Sequence, residues 1–179
     1  VSAFFKKMAG GSQSPPGVEF SEIAWSWVGA FLGMMPVALL QYNFFPDGDL
    51  VFLIGSFGAS AVLIYGAVRS PLAQPRNLVG GHLISAVIGV AAWQMLGSAP
   101  WLAAAFAVAT AIAAMHATRT LHPPGGATAL IAVIGSDKIH NLGLLYVVFP
   151  VATGVVIMLI VALVVNNIAG SRKYPEFWW

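Results

Sequence analysis

Apolar residues run along this chain in long blocks, separated by short turns rich in proline, glycine or charge. Five blocks have the length of a membrane crossing, roughly Ile23–Gln41, Leu50–Val68, Leu78–Leu96, Trp101–Thr118 and Leu142–Val165, against a need for about 20 residues each. A sixth, Gly126–Gly135, is short; at about 1.5 Å per residue it covers only half of the hydrocarbon layer. Before it stands the most unusual punctuation in the chain, LHPPGGATALIA at Leu121–Ala132. Pro123 and Pro124 lack an N–H, Pro123 drives His122 out of helical geometry, and Gly125 and Gly126 permit close backbone approach. Backbone that leaves the helix within lipid survives only where protein or a polar cavity satisfies it. The break is therefore expected to be functional, with a helix starting near Ala127 and its positive end at the break.

Composition sharpens this picture. Hydrophobic residues make up 59% and charged residues 8% of the 179, and the mean hydropathy is +0.84, whereas a soluble domain carries about 25% charged residues. The expected fold is an all-α polytopic transmembrane bundle of five to six segments. It divides into a flexible cytosolic arm at 1–20, a transmembrane domain at 21–170 and a cytosolic tail at 171–179. The arm lacks the apolar core of a cleavable leader. The absence of cysteine excludes disulfides and thiolate chemistry, and a net charge of +2 gives no reason to expect nucleic acid. The membrane expected is the bacterial inner (plasma) membrane in preference to a plastid envelope.

The few charges orient the chain. With a cytosolic amino terminus and six crossings, Lys6, Lys7, Arg69, Arg76, Arg119, Arg172 and Lys173 share the cytosolic side and only Lys138 lies opposite. Five crossings would place Arg172 and Lys173 outside, so six is favoured. GASAVLI at Gly58–Ile64 also matches GATALIA at Gly126–Ala132 at an offset of 68 residues. That offset divides the chain into two units of three segments, an inverted 3+3 repeat with broken helices of the kind that places transporter sites at the repeat interface. Chance likeness between Gly/Ala/Val-rich runs is the alternative.

These residues also resemble a known family. HPPGGATAL, together with GSFGASAVLIYG at Gly55–Gly66 and SPLAQPRNLVGGHLISAVIG at Ser70–Gly89, is similar to the HPP family of integral membrane proteins, named for the motif that here is His122, Pro123 and Pro124. The resemblance implies a compact helical membrane domain and, from chloroplast members, transport of nitrite. The family is described with four spanning helices, fewer than the five or six counted here.

The polar inventory of the apolar blocks points to an anion. No Asp or Glu lies inside them, although cation and proton-coupled carriers usually keep a buried carboxylate. What remains is His82, His116, His122, Arg76, Asn77, Arg119, Ser56, Ser60, Thr128 and two expected helix starts, at Gly58 and Gly126. All can donate hydrogen bonds, and amides at a helix start beside a cation stabilise negative charge. His122 either contacts the solute or braces the loop by bonding a carbonyl. Gly125 and Gly126 would present amides, Pro123 and Pro124 would shape the break, and Arg119 would either form a vestibule or anchor to headgroups. Arg76 and Asn77 close a stiff cytosolic turn. His82 and His116 are expected near helix ends on the face that holds His122; a metal site from these three is not favoured, because short ligand spacing with carboxylates or thiolates is missing. Ser60 and Thr128 would line a pore or bond backbone one turn back.

Other residues are assigned to packing. Gly29 with Gly33, and Gly81 with Ser85 and Gly89, allow close helix approach and self-association. Trp25, Trp27, Trp101, Tyr146, Trp178 and Trp179 are expected as interfacial anchors, and Asn166 and Asn167 as the end of the last helix. The function expected is a small-anion transporter or channel, with nitrite as solute, the lipid bilayer and further copies of itself as partners, and no cofactor. A non-transporting scaffold is the alternative. An enzyme ranks lower, since neither GxSxG nor His-Glu-x-x-His occurs.

Overall fold

Helices follow from the apolar blocks, but not one for one. The computed structural model describes residues 2–8, 12–45 and 51–179. Its elements are α1 (Ser2–Met8), α2 (Phe20–Phe44), α3 (Gly55–Ala61) running on into a wide π turn at Val62–Gly66, a 3-10 turn at Pro71–Ala73, α4 (Pro75–Leu96), α5 (Pro100–Ala117), α6 (Pro123–Ile134), α7 (Asp137–Leu142), and a kinked π turn at Val147–Ala152 that feeds α8 (Thr153–Ile168). Among the described residues four helices are long and apolar enough to cross a membrane: Phe20–Phe44, Pro75–Leu96, Pro100–Ala117 and Val147–Ile168. Gly55–Gly66 and Pro123–Ile134 are shorter apolar helices.

Two expectations are corrected here. The block Leu50–Val68 is not a spanning helix, because its described start, Val51–Ile54, is non-helical. Gln41 Oε1 accepts from the backbone N–H of Phe52 at 2.7 Å and of Leu53 at 3.1 Å, so a side chain satisfies amides that a helix would otherwise have used. Residues 46–50, including the first residue of that block, lie outside the described residues. The second correction concerns α6, which begins at Pro123 rather than near Ala127. Two prolines suit the first two helical positions, where no N–H is required and φ is already set, and the Gly125 N–H bonds His122 O at 2.8 Å. Gly58 and Gly126 consequently lie inside helices and not at their first residues.

α4 is the hub. It packs against α5 and α6 on one side and against the kinked start of the last helix on the other, while α2 packs on α8 and on the π turn after α3, and α3 meets α6. The expected small-residue face of α4 operates as anticipated: a Cβ on Gly89 would lie 2.5 Å from Ala129 O, and one on Gly81 would lie 2.5 Å from His122 Cβ. The Gly29/Gly33 pair receives a ring instead of a helix, because a Cβ on Gly33 would overlap the Tyr65 phenol. These glycine faces are thus filled within the protomer. Trp27, Phe31, Phe106, Ile112, Val156 and Ile160 are exposed, giving α2, α5 and α8 apolar outer surfaces suited to lipid.

Cross-links fix how the elements lie along one another. Gln41, near the end of α2, holds Phe52, whereas Arg172 joins Glu22 and Ser26, near its start, to Tyr65 O. The segment from Phe52 to Tyr65 therefore runs back along α2. α6 runs beside α4 in the same sense: Gly81 meets His122, Gly89 meets Ala129, and Trp93 stacks on His140 of α7 at 3.7 Å between ring centroids. One face gathers the start of α2, the ends of α3 and α5, the starts of α4 and α6 and the end of α8. Arg69 bonds Ser171 O there, Arg76 bonds Thr118 O, and Arg172 pairs with Glu22 at 2.9 Å.

Candidate functional site: a buried histidine chain

Where α3, α4 and α6 converge, Ser60, His82, His122 and Thr128 are all fully buried. Ser60 stands near the end of α3 and Thr128 in the second turn of α6. His82 lies two turns inside α4, not at the helix end where the sequence suggested it. His122 caps α6 in extended geometry, φ −138° and ψ 104°, the conformation imposed on a residue that precedes proline. Gly81 makes the approach of His122 to α4 possible, since any side chain there would meet its Cβ.

The four side chains bond end to end. Thr128 Oγ1 is 2.7 Å from His82 Nδ1, His82 Nε2 is 2.7 Å from Ser60 Oγ, Ser60 Oγ is 2.9 Å from His122 Nε2, and His122 Nδ1 is 2.8 Å from Leu72 O in the 3-10 turn. Thr128 Oγ1 also lies 3.4 Å from Pro124 O. The ring centroids are 5.0 Å apart, and Phe57 meets the edge of His82 at 5.8 Å. The Tyr146 hydroxyl donates to Thr128 O at 3.1 Å. Tyr146 is fully buried, which corrects its expected place as an interfacial anchor: the bend at Val147–Ala152 turns it inward.

The remaining expected residues surround this chain without joining it. Asn77 Nδ2 donates to Leu121 O at 2.8 Å and Arg76 Nη2 to Thr118 O at 2.9 Å, so both hold the turn before the motif. Arg119 is exposed on that turn with φ +57°. His116 is exposed and lines an outward apolar groove of about 520 Å³ with Met115, Leu121, Pro123 and Gly126. Gly125 is clamped: a Cβ there would sit 2.8 Å from both Gly81 O and Ser85 Oγ. Gly58 is exposed with open space where a Cβ would stand. No group of three His, Cys, Asp or Glu suited to a metal occurs among the described residues.

Several participants were not legible in the sequence. Leu72 contributes only a carbonyl, to which no side-chain pattern points. Ser56, counted in the polar inventory, and Ser85, assigned to packing, have buried hydroxyls without a hydrogen-bond partner, which the sequence did not indicate. Arg172, read as a tail charge, bonds Glu22, Ser26, Tyr65 O and Asn166 with its side chain 3% exposed. Tyr174 then donates to Ala73 O at 2.8 Å, and its burial raises the phenol pKa so that it stays a donor. The Glu176 N–H reaches Gln74 Oε1 at 2.8 Å. The tail thus clamps the 3-10 turn whose Leu72 carbonyl ends the chain.

Four long apolar helices, two short ones and a polar cluster sealed between them define an integral membrane protein of the polytopic helical class. The chain belongs to the HPP family: the model of the HPP transmembrane region matches residues 15–175. Two transmembrane proteins of Dictyostelium discoideum are similar to it. One is 49% identical over 98% of this chain and 57% of its own length, the other 45% identical over 100% of this chain and 64% of its own. The chain therefore spans less than two thirds of the curated relatives it matches. No solved structure is significantly similar to it.

Proposed function

We propose that this domain carries a small inorganic anion across the membrane, nitrite being the solute that the family resemblance favours, along the contact of α3, α4 and α6. The observation that carries this reading is the fully buried chain of Ser60, His82, His122 and Thr128. Polar and ionisable groups inside a membrane protein are costly and tend to mark a solute path. Every member can donate a hydrogen bond and none is acidic, which suits an anion. Side chains take the part first assigned to backbone amides, because Pro123 and Pro124 have no N–H and that of Gly125 is already bonded. The arrangement is closed, with donors satisfying one another. An anion is accommodated by replacing Ser60 as the partner of an imidazole N–H.

The same reading takes the membrane to be crossed six times, with non-helical backbone lengthening the α3 crossing, and both termini on the cytosolic face that gathers Arg69, Arg76 and Arg172. The inverted repeat is supported by the two short helices, Gly55–Gly66 and Pro123–Ile134, whose starts and ends are each 68 residues apart. It is also supported by an exchange of third segments: α4 packs on α5 and α6, and α8 packs on α2. Ser60 and Thr128, equivalent under that offset, then flank His82 from opposite sides.

A second reading has one specific observation behind it. Ser60 lies between two imidazoles, an arrangement that activates a nucleophile in an open cleft. None of the three grooves described on this protein reaches Ser60, and a fluorophosphonate probe should leave the folded protein unlabelled. Reconstituted protein should speed nitrite influx into liposomes, and Ser60→Ala should slow it on the order of tenfold, the loss of one buried hydrogen-bond partner. Influx equal to that of protein-free liposomes would leave the scaffold reading in its place.

A further inference from the structure

Proton positions along the buried chain are fixed by its end. Leu72 O can only accept, so His122 Nδ1 carries a proton; in neutral His122 the Nε2 must then accept, from the Ser60 hydroxyl. Ser60 in turn accepts from His82 Nε2–H, and His82 Nδ1 accepts from the Thr128 hydroxyl. Every bond points the same way, from Thr128 to Leu72, and the two neutral histidines are opposite tautomers. One proton can be added with every bond kept and the charge placed on His122, the ring nearer the basic face. Add one proton at the Thr128 end, drawn from hydronium in the acidified medium with release of water: the Thr128 proton passes to His82 Nδ1, the Nε2 proton of His82 passes to Ser60, and the Ser60 proton passes to His122 Nε2. His122 becomes an imidazolium donating to both Ser60 and Leu72 O, His82 becomes the other neutral tautomer, and Thr128 turns to Pro124 O, 3.4 Å away. One proton is gained, no hydrogen bond is lost, and the polarity of the three bonds from Thr128 to His122 is reversed.

We propose that Ser60, His82, His122 and Thr128 form a single-proton relay running from mid-depth toward the basic face, and that this proton accompanies the solute. The second clause rests on the transport reading above; the first does not. Surrounding groups leave the relay to itself. On the π turn after α3, Tyr65 is committed to Met158 O; on the bent last segment, Tyr146 is committed to Thr128 O; on α4, Arg76 is bonded to Thr118 O; and on α5, His116 is exposed. Charged Arg119 is exposed on the turn between α5 and α6. Among the described residues no carboxylate is hydrogen-bonded to either ring, so the proton is shared only between the two imidazoles and their hydroxyls.

The test is nitrogen NMR of the full chain in bilayers with 15N-labelled imidazoles, using His116→Gln and His140→Gln to assign the other two rings. At alkaline pH one neutral ring should carry its proton on Nδ1 and the other on Nε2. On acidification a single imidazolium should form at His122, while His82 changes tautomer with the same midpoint. Identical tautomers in the two neutral rings, a His82 that keeps its tautomer while His122 charges, an imidazolium at His82 instead of His122, two imidazoliums, or none before the fold is lost would each overturn the relay. Lumenal pH measured during nitrite uptake tests the coupling. Uptake with no accompanying proton movement overturns the coupled role. A tautomer switch without any uptake leaves the relay standing and removes the transport reading instead.

Discussion

At the scale of single residues, the two glycines of the motif separate sharply. A Cβ on Gly125 would press on Gly81 O, Ser85 Oγ and Met115 Sδ, whereas one on Gly126 would meet only Val108 Cγ1 at 3.8 Å. Gly125→Ala should lower stability by about 1–3 kcal/mol, as overpacking does, and Gly126→Ala should be nearly neutral. Thermal unfolding in detergent compares them. Arg119 makes a further case. Thr120 N–H bonds Met115 O and Arg119 N–H bonds Arg119's upstream neighbour His116 at its carbonyl, a Schellman closure of α5 that puts Arg119 where glycine usually stands. Arg119→Gly should raise stability by about 1 kcal/mol by removing left-handed strain, and a fall would show that the guanidinium has a partner role. The sequence singled out all these positions but could not rank them, because the ranking depends on what each missing side chain would strike.

Among elements, the contact that fixes α2 is a tyrosine lodged against two glycines. Tyr65 fills the Gly29/Gly33 face and donates to Met158 O at 2.9 Å, joining α2, the π turn and α8. Gly33→Ala should destabilise by about 1–3 kcal/mol. Since the worst overlap is with the phenol oxygen, Gly33→Ala combined with Tyr65→Phe should lose less than the sum of the two single changes, a coupling read from a double-mutant cycle. The GxxxG spacing was visible in the sequence, and its partner was not. The same holds for the HPP turn: proline explains why His122 is extended, yet only the packing of α6 on α4 shows that α6 begins at Pro123.

Over the whole molecule, the carboxyl-terminal tail closes the basic face. Arg172 is buried while its partner Glu22 is one third exposed, so Glu22 can regain water when the pair is broken and Arg172 cannot. Arg172→Ala removes bonds to Glu22, Ser26, Tyr65 O and Asn166 together and should cost about 2–4 kcal/mol, somewhat below the usual figure for breaking a buried pair. Glu22→Gln should cost less. Chemical denaturation in detergent orders the two variants, and equal losses would contradict this account of the clamp.

The sequence alone determined the membrane class, the long apolar helices α2, α4 and α5, the basic face and the choice of Ser60, His82, His122 and Thr128 as polar residues of interest. Each of these follows from local sums or local sterics: hydropathy over a window, charge at a turn, the conformation that proline imposes on its predecessor. Tertiary structure decided which of the candidates touch. His82 and His122 stand 22 and 62 residues from Ser60, and in helices so evenly apolar the pattern does not specify rotation about the axis or depth along a neighbour. Those two coordinates bring the rings to one hydroxyl, leave Arg119, His116 and Gly58 outside, and place a carbonyl from a distant turn where it sets the direction of every proton in the chain.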